Sequence, residues 1–372
     1  MKKALRVLSL MMALALIVCA VPALAEQTAK SEFGVKYAKQ MNIEYLDDGV
    51  KIIADADGRQ YLLVPEGVEA PAEYAELTAI TTPVQKPMFC STTEVGALDA
   101  LNVPEIYDRI GAVTTAVEYW TIDEVVERLN DGRIQFIDKT HDQGPNIELV
   151  QQLQPDIVIN SAGDQSGVDF AAQMEDLGIN YITDSAWLED DEYAQLEWIK
   201  LFAALYNLDQ EAHDFFENTI NEIAALEDIA ASVADRPVVA YGLLYDGVVY
   251  TYGNQSVIAR KIERAGGVYA LSDLEGTGSM QVSLEEFVAK CKDADILIYD
   301  SQPKYSGTIE QMIETEPLMA TFKAYKNGMI YQPTQDFYMA SAEVAAKFKD
   351  LVKIFQPEIL PDWELAHYQL MQ

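Results

Sequence analysis

The sequence predicts an α/β protein: two α/β lobes with mostly parallel sheets, joined by one long bridging α-helix and preceded by a small N-terminal antiparallel β appendage. Three observations carry this reading. Residues 190–234 run without Pro or Gly and carry apolar residues at helical spacing, among them Leu196, Ile199, Phe216, Ile220, Ile223 and Leu226. On either side, helix-period segments alternate with short apolar strands, the pattern of a parallel sheet. The segments ELVQQLQPDIVINS and EFVAKCKDADILIYDS, one from each half, share one order: helix, acidic turn, buried strand, polar loop. One unit used twice gives two similar lobes.

The first 25 residues form a signal peptide. Lys2, Lys3 and Arg6 precede an apolar run, and Ala23-Leu24-Ala25 is an A-x-A cleavage site. The run is short for a membrane span. Leu16-Ile17-Val18-Cys19 loosely resembles a bacterial lipobox, although Val18 is larger than the small residue expected there. Cleavage after Ala25 is therefore expected, with a lipid anchor at Cys19 as the alternative. That cleavage would remove three positive charges and take the formal net charge from −34 to −37.

An excess of 60 acids over 26 bases argues against nucleic acid and anionic lipid surfaces as partners. Direct membrane contact is left to an anchor at Cys19. The sequence places the protein outside the cytoplasmic membrane, in a periplasm or on a cell surface. Cys90 and Cys291 fall in different lobes and read as buried free thiols, with no C-x-x-C framework.

Residues 26–83 make the appendage. Asp47-Asp48-Gly49 and Asp57-Gly58 are turns between the strands around Ile43, Ile52 and Leu62. The first lobe covers 84–187. Met88-Phe89-Cys90 is a strand, and Ser91-Thr92-Thr93-Glu94 caps the helix that follows. Residues 146–153 are a helix feeding the buried strand Ile157-Val158-Ile159, and 168–177 a helix before the strand Tyr181-Ile182-Thr183. The bridge covers 188–235. It breaks at Asn207-Leu208-Asp209, with Asp209 as N-cap of a second piece roughly 36 Å long at about 1.5 Å per residue. The second lobe covers 236–372, with strands at Val238-Val239-Ala240 and Ile296-Leu297-Ile298. Helices follow at 255–265, from the capping box Ser283-Leu284-Glu285-Glu286, and at 340–355.

Aromatic residues are the informative class for function. Several fall where strands end, and the carboxyl ends of strands are where open α/β sheets place ligands. The candidates are Tyr119, Trp120, Trp187, Tyr245, Tyr252, Tyr305, Phe337 and Tyr338. Together they describe a cleft with flat faces for a large, partly apolar ligand. Lys139 and Lys304 are the plain cations in these loops, and no Arg lies there to grip a strongly anionic ligand. The three histidines, His141, His213 and His367, lack ligand spacing, so no bare-metal site is expected. No G-x-S-x-G, H-E-x-x-H or phosphate-loop motif occurs, and no catalytic group is expected.

At Asn146-Ile147-Glu148 and Pro155-Asp156-Ile157-Val158-Ile159 the chain resembles a family: the periplasmic iron-siderophore, haem and vitamin B12 binding proteins of ABC importers. Leu196-Glu197-Trp198, Tyr252-Gly253-Asn254-Gln255-Ser256 with Gly266-Gly267, and Ser283-Leu284-Glu285 fit the same order over 84–356. The resemblance implies two lobes bridged by a rigid helix, a ligand between them, and a cognate permease-ATPase complex. It implies one docking acid on each lobe, Glu148 and Glu285. Asp293-Ala294-Asp295 departs from the usual Pro-Asp, which leaves Glu286 as an alternative to Glu285. The implied cargo is a metal chelate: an iron complex (siderophore or haem), with a corrinoid (cobalamin) as the alternative. A chelatase-like enzyme is the reading from another class. It would call for a convergent His/Glu pair and no export signal, the opposite of what the sequence holds.

Overall fold

A computed structural model describes residues 32–140, 144–161 and 165–372. The signal peptide with Cys19 and Ala25, and His141, lie outside the described residues.

The appendage is a four-stranded sheet in the order β1 (Met41–Tyr45), β2 (Lys51–Asp55), β3 (Gln60–Pro65), β4 (Thr78–Thr82). The first three strands are antiparallel hairpins, as the turn residues require. The fourth differs from the expectation: it runs parallel to β3, because residues 66–77 cross over instead of turning back. The appendage is docked on the bridge. Lys51 is 1% exposed, and its Nζ meets Asp209 Oδ2 at 2.6 Å.

The first lobe is a five-stranded, all-parallel sheet. Its strands are β5 (Met88–Phe89), β6 (Ala112–Val113), β7 (Gln135–Phe136), β10 (Val158–Ser161) and β11 (Tyr181–Asp184), in the order β11-β10-β5-β6-β7. A separate ribbon pairs β8 (Lys139–Thr140) with β9 (Gly144–Pro145). Helices α1 (Thr92–Asp99), α2 (Asp123–Asn130), α3 (Ile147–Leu153) and α4 (Gln165–Asp176) connect the strands. The expected cap of α1 forms in full: Glu94 returns to Ser91 N while Ser91 accepts from Thr93 N.

The bridge is three helices, α5 (Glu192–Glu197), α6 (Ile199–Ala204) and α7 (Asp209–Ala231). The break falls where expected, at Asn207 with φ 59°. Asp209 is not the N-cap, however; it is the first helical residue, and its carboxylate is used by Lys51 and by Tyr45 Oη at 3.1 Å. Helix α7 is uninterrupted over 23 residues. Buried carboxylates on the bridge clamp the start of the described chain. Glu197 accepts the backbone N–H groups of Lys36, Tyr37 and Ala38 and pairs with Lys200 Nζ at 2.8 Å; Glu189 accepts those of Lys39 and Gln40.

The second lobe is built on β12 (Val238–Tyr245), β13 (Val248–Tyr252), β14 (Val268–Tyr269), β15 (Ser279–Ser283), β16 (Ile296–Tyr299), β17 (Ile330–Pro333) and β18 (Tyr368–Leu370). Strands β12, β14, β16 and β17 are parallel; β13, β15 and β18 run against their neighbours. Helices α8 (Val257–Arg264), α9 (Leu284–Cys291), α10 (Pro303–Ser306), α11 (Ile309–Thr315), α12 (Lys323–Lys326) and α13 (Val344–Phe355) complete it. Only half of the expected box opens α9: Ser283 Oγ accepts Glu286 N at 3.1 Å, and the Glu286 side chain stays exposed.

The repeated unit has a physical basis. Asp156 Oδ2 accepts the N–H groups of Gln85 and Lys86 ahead of β5, and Asp295 Oδ2 accepts Val238 N at the start of β12. In each lobe the acid before one strand fixes the start of its neighbour. Cys90 and Cys291 are free and buried. No described helix is long and apolar enough to cross a membrane.

Candidate functional site

The lobes meet through the loops at the carboxyl ends of their parallel strands. Lys304, after β16, places its ammonium 3.7 Å from the ring centroid of Tyr119, after β6. The loop after β17 reaches the first lobe: Thr121 Oγ1 donates to Met339 Sδ at 3.1 Å, and Ser341 Oγ to Thr93 O at 2.7 Å. Gly96 is needed at this contact, since a Cβ there would stand 1.6 Å from Met339 O. On the bridge, buried Glu192 of α5 pairs with Lys261 at 3.0 Å and Arg264 at 2.5 Å, both on α8 of the second lobe. The second lobe is thus tied to the first lobe directly and to the bridge.

The expected aromatic residues divide into two groups. Tyr119, Trp187, Tyr245, Tyr305 and Tyr338 are exposed at strand-end loops. Tyr338 Oη reaches Asp300 Oδ1 at 3.4 Å. Tyr305 opens on a cavity of about 320 Å³ that Leu244, Asp246, Tyr299 and Met312 also line. The other three pack against the core: Trp120 is buried, and Tyr252 and Phe337 are half-buried. Trp120 is 6% exposed and is held in the first-lobe core, its Nε1 donating to Thr115 O at 3.0 Å. Tyr252 stands edge-on to buried Tyr241 at 5.6 Å. Phe337 packs edge-on against Tyr368, with Lys347 Nζ 4.5 Å over its ring. Strand-end position alone does not distinguish a wall from a lining.

Sequence reasoning missed the acids beneath the seam. Glu94 is buried, and its Oε1 has no hydrogen-bond partner among the described residues. Burial first, then the neighbouring Asp184 carboxylate, push its pKa well above the usual carboxylate range. Asp184 itself, at the end of β11, is pushed up to about 6 by burial. Asp300, at the end of β16, is raised by burial, with Tyr241 and Tyr338 opposing the rise. The available signal was an acid at the carboxyl end of each apolar strand, in YITD and DILIYD.

A test follows for Asp184. Its folded-state acidity is weaker than the unfolded value, so ionisation opposes folding once the pH passes about 4 and fully once it passes 6. Asp184→Asn should therefore add about 1–3 kcal/mol of stability at pH 7 and almost none at pH 3.5. Urea unfolding at the two pH values checks this; an equal effect at both would refute the ionisation argument.

Two α/β lobes, a helical bridge and a seam between strand ends define a two-lobed solute-binding protein. A family model described as periplasmic binding protein matches residues 95–336, more than half of the chain, and the protein belongs to that family. The chain is 28% identical over 352 residues to an uncharacterised lipoprotein of Methanocaldococcus jannaschii, covering 87% of this chain and 82% of the relative. Among solved structures it resembles a possible iron-binding periplasmic solute-binding protein of Staphylococcus epidermidis, with TM-score 0.54, 17% identity, and coverage of 73% of this chain and 99% of that one. It also resembles the molybdate periplasmic binding protein MolA of Haemophilus influenzae, with TM-score 0.60, 16% identity, and coverage of 77% and 90%. The family expected from the sequence motifs is the family found.

Proposed function

We propose that the protein is the exported substrate-binding component of an ABC importer, taking up an iron complex (siderophore or haem) in the seam and delivering it to a permease. The observation that carries this reading is the cross-seam pair of Tyr119 and Lys304, flanked by the exposed rings of Tyr305 and Tyr338. Flat aromatic faces with one cation suit a large, partly apolar chelate carrying little negative charge. Asp184, ionised above about pH 6, further disfavours a highly anionic ferric catecholate. A corrinoid meets the same chemistry and is the alternative cargo. The iron and molybdate named for the two solved relatives support a metal-containing cargo without choosing one. The lipoprotein relative supports tethering at Cys19. Among the described residues no group of three metal-ligating side chains stands together.

The test is titration with haem, cobalamin and a ferric siderophore panel, read by quenching of Trp187, which is 57% exposed. One of these should saturate. The triple variant Tyr119→Ala, Tyr305→Ala, Tyr338→Ala should weaken its binding by several kcal/mol, since truncating a central aromatic contact costs about 2 or more. Unchanged affinity in the folded triple variant would remove the cargo from the seam.

A further inference from the structure

A second cavity, of about 610 Å³, lies between the appendage and the first lobe. Gln85, Arg109, Asp156 and Asn180, on its wall, each stand just ahead of a first-lobe strand: β5, β6, β10 and β11. The cavity is therefore at the amino ends of that sheet, the opposite end from the seam, and it plays no part in the site described above.

Two features make it a built site. Its other wall is the outer edge of β4, the last strand of the appendage sheet. Thr82 O is turned inward, where it accepts Glu66 N at 2.9 Å. Backbone groups alternate along a strand, so Ala79 and Thr81 turn theirs outward into the cavity. Second, half-buried Arg109 has no hydrogen bond or ion pair among the described residues, in a chain with 60 acids for 26 bases. Glu66 and Asp156 give the wall negative charge as well.

We propose that this cavity binds a short zwitterionic peptide, which adds to the open edge of β4 and places its carboxylate on Arg109 and its ammonium towards Glu66 and Asp156. An unpaired strand edge recognises extended main chain, and pockets beside it read the ends. A lone inorganic anion would meet Arg109 but would be repelled by the two acids. The volume falls within the roughly 300–1,000 Å³ of pockets that enclose drug-sized ligands, room enough for a short peptide.

The experiment is calorimetric titration of the mature chain with trialanine, with N-acetyl-trialanine and with trialanine amide. Trialanine should bind, and each blocked peptide at least tenfold more weakly. Arg109→Gln should weaken trialanine at least tenfold, and so should Glu66→Gln, an exposed position where folding is not at stake. Chelate titration at the seam should be unchanged in both variants, which separates this site from the cargo site. Absence of trialanine binding, equal binding of the blocked peptides, or full binding by folded Glu66→Gln would each overturn the proposal.

Discussion

Ile220→Pro should destabilise the protein by roughly 3 kcal/mol or more. Ile220 is near the middle of α7, 9% exposed, on a face that also buries Ala212, Phe216, Thr219, Ile223, Leu226 and Ala230. Proline removes the N–H that bonds back one turn, and its ring strikes the carbonyl of Phe216. The loss cannot stay local. Helix α7 packs on α13 of the second lobe and on α6 of the bridge, and its first residue holds Lys51 of the appendage. A kink at Ile220 would misalign all three. Thermal and urea unfolding measure the effect, with Asn221→Ala, one residue on and exposed, as a control expected within about 0.5 kcal/mol of the parent. A melting temperature within a degree or two of the parent would show that α7 does not carry the structure.

Helix α7 of the bridge was legible because its apolar stripe runs unbroken over 23 residues, and helical periodicity is most reliable over such lengths. The strands Val158–Ser161 and Ile296–Tyr299 were legible for a related reason: they are buried on both faces, so they read as continuous apolar runs bounded by turns. Strands β6 and β7 are two residues each, too short to show any period. Their backbone is extended because neighbouring strands supply hydrogen bonds, a property of the assembled sheet. The parallel course of β4 is of the same kind, since nothing in Thr78–Thr82 encodes a direction. Trp120 and Tyr119 show the limit for the site. They are adjacent in sequence and both follow β6, yet one is a core residue and the other faces Lys304. Which of two neighbours faces a cleft depends on the turn between them. Glu94 was read as a helix cap, and it is one; its burial beside Asp184 comes from a strand some 90 residues away in sequence and leaves no local trace.

The double reversal Glu148→Lys with Glu285→Lys should abolish uptake in cells, or stimulation of the transporter's ATPase in vesicles, while leaving chelate affinity within about twofold. We propose these two acids as the marks by which the permease recognises the protein whatever it carries. Both are exposed, and each opens the helix that leads into the repeated acid-then-strand unit of its lobe: Glu148 before Asp156 and β10, Glu285 before Asp295 and β16. The duplication thus places one carboxylate at equivalent positions of two lobes whose relative position is fixed by the bridge. Two charges held at a fixed separation set the orientation of a rigid body on a two-fold partner, and charge complementarity acts chiefly on specificity and association rate. A simpler role is open to each. A carboxylate in the first turn of a helix is favoured by about 0.3–1 kcal/mol, and Asn146 and Ser283 already supply the capping oxygens. The two roles separate cleanly. If the acids only stabilise their helices, the double variant loses about 1–2 kcal/mol and transports normally once folded. If they dock, stability changes as little, cargo binds, and transport stops. Each single reversal should show an intermediate loss that shrinks as ionic strength rises, since exposed charges are screened over about 8–10 Å at physiological salt. Glu286→Lys serves as the internal control: its backbone N–H is the one Ser283 caps, its side chain is exposed one position on, and if Glu285 is the docking acid this variant keeps transport. Normal transport by the folded Glu148→Lys, Glu285→Lys variant would leave both residues as helix acids and nothing more.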